Sequence, residues 1–256
     1  MTVYYPLLLQ GVQRISAMRS GQIVTPFGVL MAFIGVPAGF LLARTKRYKW
    51  MFVMSYAVLT ALMFWISFFT AETSILWGVM ATTVAGIGWG AIPTIKTLVV
   101  QFTAPKRLLG VVTGALFFTV SMGVTIAPAV LGSVMNVAYA GALQKSLPAG
   151  LGLVVDSATM TSIGNPRVLL SKPAMNALQE RFGKEGSEGQ ALFEQTVHAI
   201  RDSMEAGLRM VFLVAAGTML LSFLMILALP EISMDVEVED KRPSEAVAGL
   251  QPAGSK

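Results

Sequence analysis

Residues 21–70 read GQIVTPFGVLMAFIGVPAGFLLARTKRYKWMFVMSYAVLTALMFWISFFT. Neither Gly21–Ala43 nor Trp50–Thr70 carries a charge, yet the six residues between them hold Arg44, Lys46, Arg47 and Lys49 and no acid. A bilayer core of about 30 Å is crossed by about 20 helical residues, and each uncharged run meets that length. The stretch is therefore a pair of membrane-spanning helices joined by a short basic turn. Its charges are placed where a polar loop must stay out of hydrocarbon.

Three more stretches have the same character: Ile75–Ile95, Leu108–Val137 and Met210–Leu229. The second of these is long and contains Pro128, which allows it to tilt or kink. Val3–Gln10 covers only about 12 Å as a helix and is the end of a partial span. The expected fold is an all-α membrane protein of about six transmembrane helices, five complete and one partial. Its expected organisation is transmembrane helices over 1–139, an extracytoplasmic loop over 140–208, a last helix over 209–230 and a disordered cytoplasmic tail over 231–256.

Composition agrees, with 54% hydrophobic and 13% charged residues where a soluble domain carries about a quarter charged. The net charge of +5 is spread between apolar runs rather than along one surface, which excludes a nucleic-acid groove. There is no Cys and one His, His198, so disulfides, thiol catalysis and a zinc ligand set are all lacking. No metal or cofactor is expected. The spans hold no Asp, Glu, His or Cys, which leaves a membrane enzyme only a nominal Ser121–Lys96 pair with nothing to fix its geometry.

Lys and Arg in short loops set orientation. Loop 44–49 and the later Lys106–Arg107 are basic and lie two crossings apart, while the turn between them, 71–74, has only Glu72. The basic loops are expected inside and 71–74 outside. Tyr48, Trp50 and Trp77 stand at span ends, where amphipathic rings favour the interface. In the 140–208 segment Ser171 is positioned as an N-cap, with Gly183 as the stop of the helix that follows. Leu192, Phe193, Thr196, Val197, Ile200, Met204 and Leu208 form one helical face that continues toward the last span.

Lys96 is the one charged residue near membrane depth. It either reaches the cytoplasmic headgroups along its own aliphatic stem or faces a cavity. Gly35 with Gly39, the trio Gly86, Gly88 and Gly90, and the group Gly110, Thr113, Gly114 and Gly123 supply small residues at helix-packing spacing.

Taken in order, three stretches resemble the C-terminal half of a major facilitator superfamily exporter of the drug:proton antiporter type with fourteen helices. Residues 4–49 are similar to that half's first two helices and the loop after them. Gly39, Arg44 and Arg47 fall on the Gly and two Arg positions of the family's gating-loop motif; Ala43 stands for its acid and Lys46 for its loop Gly. Gln101, Pro105, Leu109, Gly110, Thr113 and Gly114 match a second family run, with Val120 where an Arg is common. The long segment before the last helix and the LPEIS ending complete the likeness. The resemblance implies a plasma- or inner-membrane, multi-pass transporter with a cytoplasmic C-terminus, exporting a small amphipathic substrate by proton antiport with alternating access. Tyr5, Gln10, Thr25, Thr82, Thr83 and Trp89 are its expected cavity side chains. Besides the lipid bilayer, the implied partner is a missing N-terminal half or a second copy. A half-size transporter acting as a homodimer and a non-transporting anchor or sensor remain open alternatives.

Overall fold

A computed structural model describes residues 2–148, 151, 156–166, 168–183 and 186–229. Each helix begins where the sequence supplies a cap or a turn. A single turn, α1 (Tyr4–Leu7), continues into a π-helical turn over Leu8–Val12. Helix α2 (Ala17–Thr45) starts at Ser16, whose side chain accepts from the Arg19 N–H. It ends at Lys46, which takes the left-handed conformation (φ 53°) and donates its N–H to Leu42 O. That reversal lets α3 (Lys49–Ile66) begin three residues later. Ser74 caps α4 (Ile75–Thr103), and α5 runs from Leu109 to Ser146. Two short helices, α6 (Ser157–Ile163) and α7 (Lys172–Gly183), precede α8 (Gly186–Ala228). Five of these helices are long and apolar enough to cross a membrane, and no strand occurs among the described residues.

The tightest packing joins α2 to α4. Lipid tails are as apolar as the side chains, so helices in a bilayer associate through close packing at small residues rather than through water exclusion. On α4, Gly78, Thr82, Gly86, Gly90 and Thr94 recur at every fourth position and face α2. A Cβ at Gly86 would lie 3.0 Å from Phe27 O, and one at Gly90 would lie 3.1 Å from Leu30 O. Between these levels and the helix start, the Thr82 hydroxyl donates across the seam to Ile23 O at 2.7 Å. Gly88 presents α4 to the other side, where its Cβ would meet Leu59 of α3 at 3.1 Å. Helix α4 is thereby the most buried of the five and sits between α2 and α3.

The rest of the bundle is added through α8, which packs on α3 and α5. Gly207 makes the second approach possible, since a Cβ there would stand 3.1 Å from Met135 O of α5. The expected apolar face of α8 is buried from Thr196 through Val197, Ile200, Met204 and Leu208, with Leu192 and Phe193 half-buried above it. Helices α6 and α7 close over this end. Tyr139 donates to Ile163 O at 2.6 Å, and Arg181 pairs with Asp156 at 2.8 Å. The Thr159 hydroxyl, followed by the Arg181 side chain, holds the Asp156 carboxyl below the usual carboxylate range. Ser171 does cap α7, accepting from Ala174 N.

Three expectations meet a different structure. The boundaries set at 139 and 208 fall inside the unbroken helices α5 and α8, because both continue past the apolar runs that defined them. Helix α4 runs two turns beyond Ile95, the expected end of its span, and Lys96 lies within it. The packing role expected of Gly110, Gly114 and Gly123 is not met among the described residues. A Cβ at any of them would meet nothing within 4 Å among the described residues, and the buried residues of α5, Met135, Tyr139 and Leu143, all lie later in the helix. Thr113 beside them is half-buried. The expected tail, 231–256, lies outside the described residues.

The seam makes a direct test. Gly86→Leu or Gly90→Leu forces backbone apart and should lower stability by about 1–3 kcal/mol or more, read as a fall in the thermal unfolding midpoint in detergent. Gly114→Leu should leave the midpoint unchanged or raise it, because a Cβ there meets none of the described residues.

Candidate functional site: a polar knot beside an uncovered helix

Most polar side chains in the apolar helices bond to carbonyls of their own helix. Thr25 donates to Gly21 O, Thr83 to Val79 O, Thr119 to Ala115 O and Thr125 to Ser121 O. Such bonds satisfy a hydroxyl without joining helices. The exceptions gather around α1 and its π-helical turn, a backbone form that tends to mark functional positions. Tyr4 and Tyr5 are both buried and reach different helices. The Tyr4 hydroxyl donates to Pro128 O of α5 at 2.7 Å. The Tyr5 hydroxyl is buried and has no hydrogen-bond partner among the described residues, and a Cβ at Gly78 would lie 2.6 Å from it. Gln10 donates to Ser20 Oγ at 3.3 Å, while Thr82 holds Ile23 O. One small knot thus touches α2, α4 and α5.

The knot is anchored at one end of the bundle. The Gln13 amide donates to Thr70 O and Thr73 O, at 3.0 and 3.2 Å. Arg201 Nε donates to Val12 O at 2.9 Å, and Ala71 N donates to Glu205 Oε2 at 3.4 Å. These bonds tie the π turn, the α3–α4 turn and the first half of α8 together. From Met210 onward α8 carries no charged residue.

The expected cavity residues therefore divide. Tyr5, Gln10 and Thr82 come together in the knot. Thr25 is exposed on α2, Thr83 is half-buried on α4, and Trp89 is half-buried against the main core. Gly39 is half-buried beside Thr94, with Arg44 and Arg47 exposed at the basic turn, and Lys96 is half-buried. Tyr4, Gln13, Ser20 and Arg201 were not singled out from the sequence. Their roles depend on partners 10 to 189 residues away, and no local pattern announces such pairs.

Beside the knot, residues 117–130 of α5 are exposed all round, including Phe117, Phe118, Val124 and Ile126. Ser121, Thr125, Pro128 and Gly132 fall at spacings of three and four on this helix, and the last two adjoin Tyr4. Small and polar residues therefore form a stripe on a helix that the described chain leaves uncovered. Among the described residues no group of His, Asp or Glu could hold a metal.

Residues 1–128 match the Major Facilitator Superfamily. The chain is 28% identical over 253 residues to a tetracycline resistance determinant of Streptomyces rimosus, covering 96% of this chain and 71% of that protein. It is 30% identical over 133 residues to the multidrug transporter protein MdtP of Bacillus subtilis (strain 168), or 52% of this chain and 24% of the relative. An MFS-type efflux transporter, pyiT, of Pyricularia grisea is 29% identical over 121 residues, 47% of this chain and 20% of that one. No solved structure matches the chain significantly.

The two tyrosines should respond with opposite signs. Tyr4→Phe removes a made hydrogen bond and should cost about 0.5–1.5 kcal/mol. Tyr5→Phe removes an unsatisfied buried hydroxyl and should be neutral or stabilising. Gly78→Ala should destabilise the native chain and do so less in the Tyr5→Phe background, a coupling that a double-mutant cycle of unfolding midpoints measures.

Proposed function

The chain belongs to the Major Facilitator Superfamily, and from that membership we propose that it forms the C-terminal half of a proton-coupled exporter of the fourteen-helix type. It is a multi-pass membrane transporter, not an enzyme, in contact with lipid and small substrates. The substrate proposed is an amphipathic compound, in keeping with relatives named for tetracycline resistance and multidrug transport. In the proposed arrangement the basic turns face the cytoplasm, as does the C-terminus.

The observation that carries the reading is the uncovered stretch of α5. A helix with small and polar residues on one side, largely uncovered by the described residues, is suited to a passage shared with further helices. Two halves rocking about a midplane cavity expose it to each side in turn; Tyr4, holding α5 at Pro128, sits at the edge of that passage. Carboxylates serve as proton carriers within membranes, and none of this chain's acids lies in the apolar part of a span. The coupling acid is accordingly assigned to the other half.

Two measurements test this. In proteoliposomes under an imposed pH gradient, the purified chain alone should not move a fluorescent amphipathic cation, although it inserts. Gradient-driven movement by the chain alone overturns the reading, and a crosslinked dimer in that preparation establishes the homodimer instead. In intact cells, Thr45→Cys should be silent to an impermeant thiol reagent and Ser74→Cys should react. The reverse pattern overturns the orientation.

A further inference from the structure

Between α2, α3 and α4, at the end of the bundle that carries the basic turn, lies a cleft of about 360 Å³. Pro37, Leu41, Trp50, Met54, Val58 and Ile87 line it, and Ser55 is its one hydroxyl. Trp50 and Met54 are 43% and 57% exposed, so the cleft opens on the outside of the bundle. Its α2 wall runs from Leu41 to Ile34, about 10 Å along the helix. It therefore reaches from the membrane surface well into the hydrocarbon. An opening this apolar and this elongated suits an acyl chain.

What stands over the mouth selects among lipids. Ile34, Pro37 and Leu41 follow one face of α2 at spacings of three and four, and Arg44 is the next residue on that face. Lys46, Arg47 and Lys49 follow before Trp50, and the first acid in the whole chain is Glu72. The turn is held by the left-handed Lys46 and by Tyr48, which is buried with Leu42, Met51 and Ile95 beneath the cleft. Four cations thus lie in the turn that joins the α2 and α3 walls of an apolar slot. Basic pockets between membrane helices take anionic headgroups. A zwitterionic lipid would bring its own cation to this turn and gain no net attraction.

We propose that this cleft is a binding site for one anionic phospholipid, its acyl chain lying between α2 and α3 and its phosphate on the RTKRYK turn. The site needs only the membrane-inserted bundle and does not depend on the transport reading. It makes the composition of the facing leaflet a determinant of how α2, α3 and the turn are held.

The test uses the full chain with Trp50 as its only tryptophan (Trp65→Phe, Trp77→Phe, Trp89→Phe) in phosphatidylcholine nanodiscs. Brominated phosphatidylglycerol or brominated phosphatidylcholine is added over a range of mole fractions. Half-maximal quenching of Trp50 should need at least about fivefold less phosphatidylglycerol, the factor that one Lys or Arg gains at an anionic surface. Replacing Arg44, Lys46, Arg47 and Lys49 with Gln should bring the two curves together. Because Trp65 meets Trp77 edge-to-face at 5.5 Å, the unmodified chain is also examined by native mass spectrometry after extraction from mixed vesicles. Retained phosphatidylglycerol, lost in the Gln variant, is expected. Coincident quenching curves, or a preference for phosphatidylglycerol that survives charge removal, overturns the proposal.

Discussion

The close approach of α2 and α4 is the constraint on which the rest of the bundle depends. With Phe27 O 3.0 Å and Leu30 O 3.1 Å from where Cβ atoms would stand at Gly86 and Gly90, backbone meets backbone with no room for a side chain. In hydrocarbon this contact is among the few that favour association, because burial of apolar surface brings little gain there. It places α4 at the centre, from which Gly88 brings in α3 and the α3–α8 contact brings in the last helix. Gly78, at the start of the same stripe, makes room for Tyr5 and so sets the position of the polar knot.

The end of the bundle opposite the basic turn is tied by hydrogen bonds between distant segments. The bonds that Gln13 and Arg201 donate, and the one that Glu205 accepts, lace three separate segments together where α6 and α7 also close over the helices. At the opposite end the helices are joined by the basic turn and by the short link before α5. These bonds join the three segments as one body, which the rocking motion of the proposed function would require. The uncovered length of α5 is then a surface of the rigid body rather than a loose element. It is held at Pro128 by Tyr4 and at Met135 by the approach of Gly207.

How much of this was legible in the sequence follows from what each feature depends on. The spans were readable because hydrocarbon demands about 20 apolar residues, a requirement that Gly21–Ala43 and Trp50–Thr70 meet without reference to any other part of the chain. Their ends were less so. Helix α8 begins far ahead of Met210 because the apolar face through Thr196, Ile200 and Met204 continues the same helix under α7. Gly86 and Gly90 on α4 and Gly110 and Gly114 on α5 have the same spacing, yet among the described residues only the first pair meets a neighbouring helix, and spacing alone does not say where a partner stands. Of the expected cavity residues, Tyr5, Gln10 and Thr82 were brought together by tertiary contacts, while Thr25 satisfied its hydroxyl locally at Gly21 O.

The central claim is that the stripe on α5 borders a passage completed by helices outside the described bundle. The absence of cysteine in the native chain permits a direct measurement. A thiol reacts as its thiolate, which forms in water and not in lipid. Ser121→Cys on the α5 stripe and Leu221→Cys on the exposed apolar side of α8 are compared in transport-competent native membrane vesicles, with a water-soluble maleimide and with or without substrate. The account requires Ser121→Cys to react, with substrate slowing the reaction, and Leu221→Cys to stay unreactive. Equal reactivity at the two positions, or a reaction at Ser121→Cys that substrate does not slow, would contradict it.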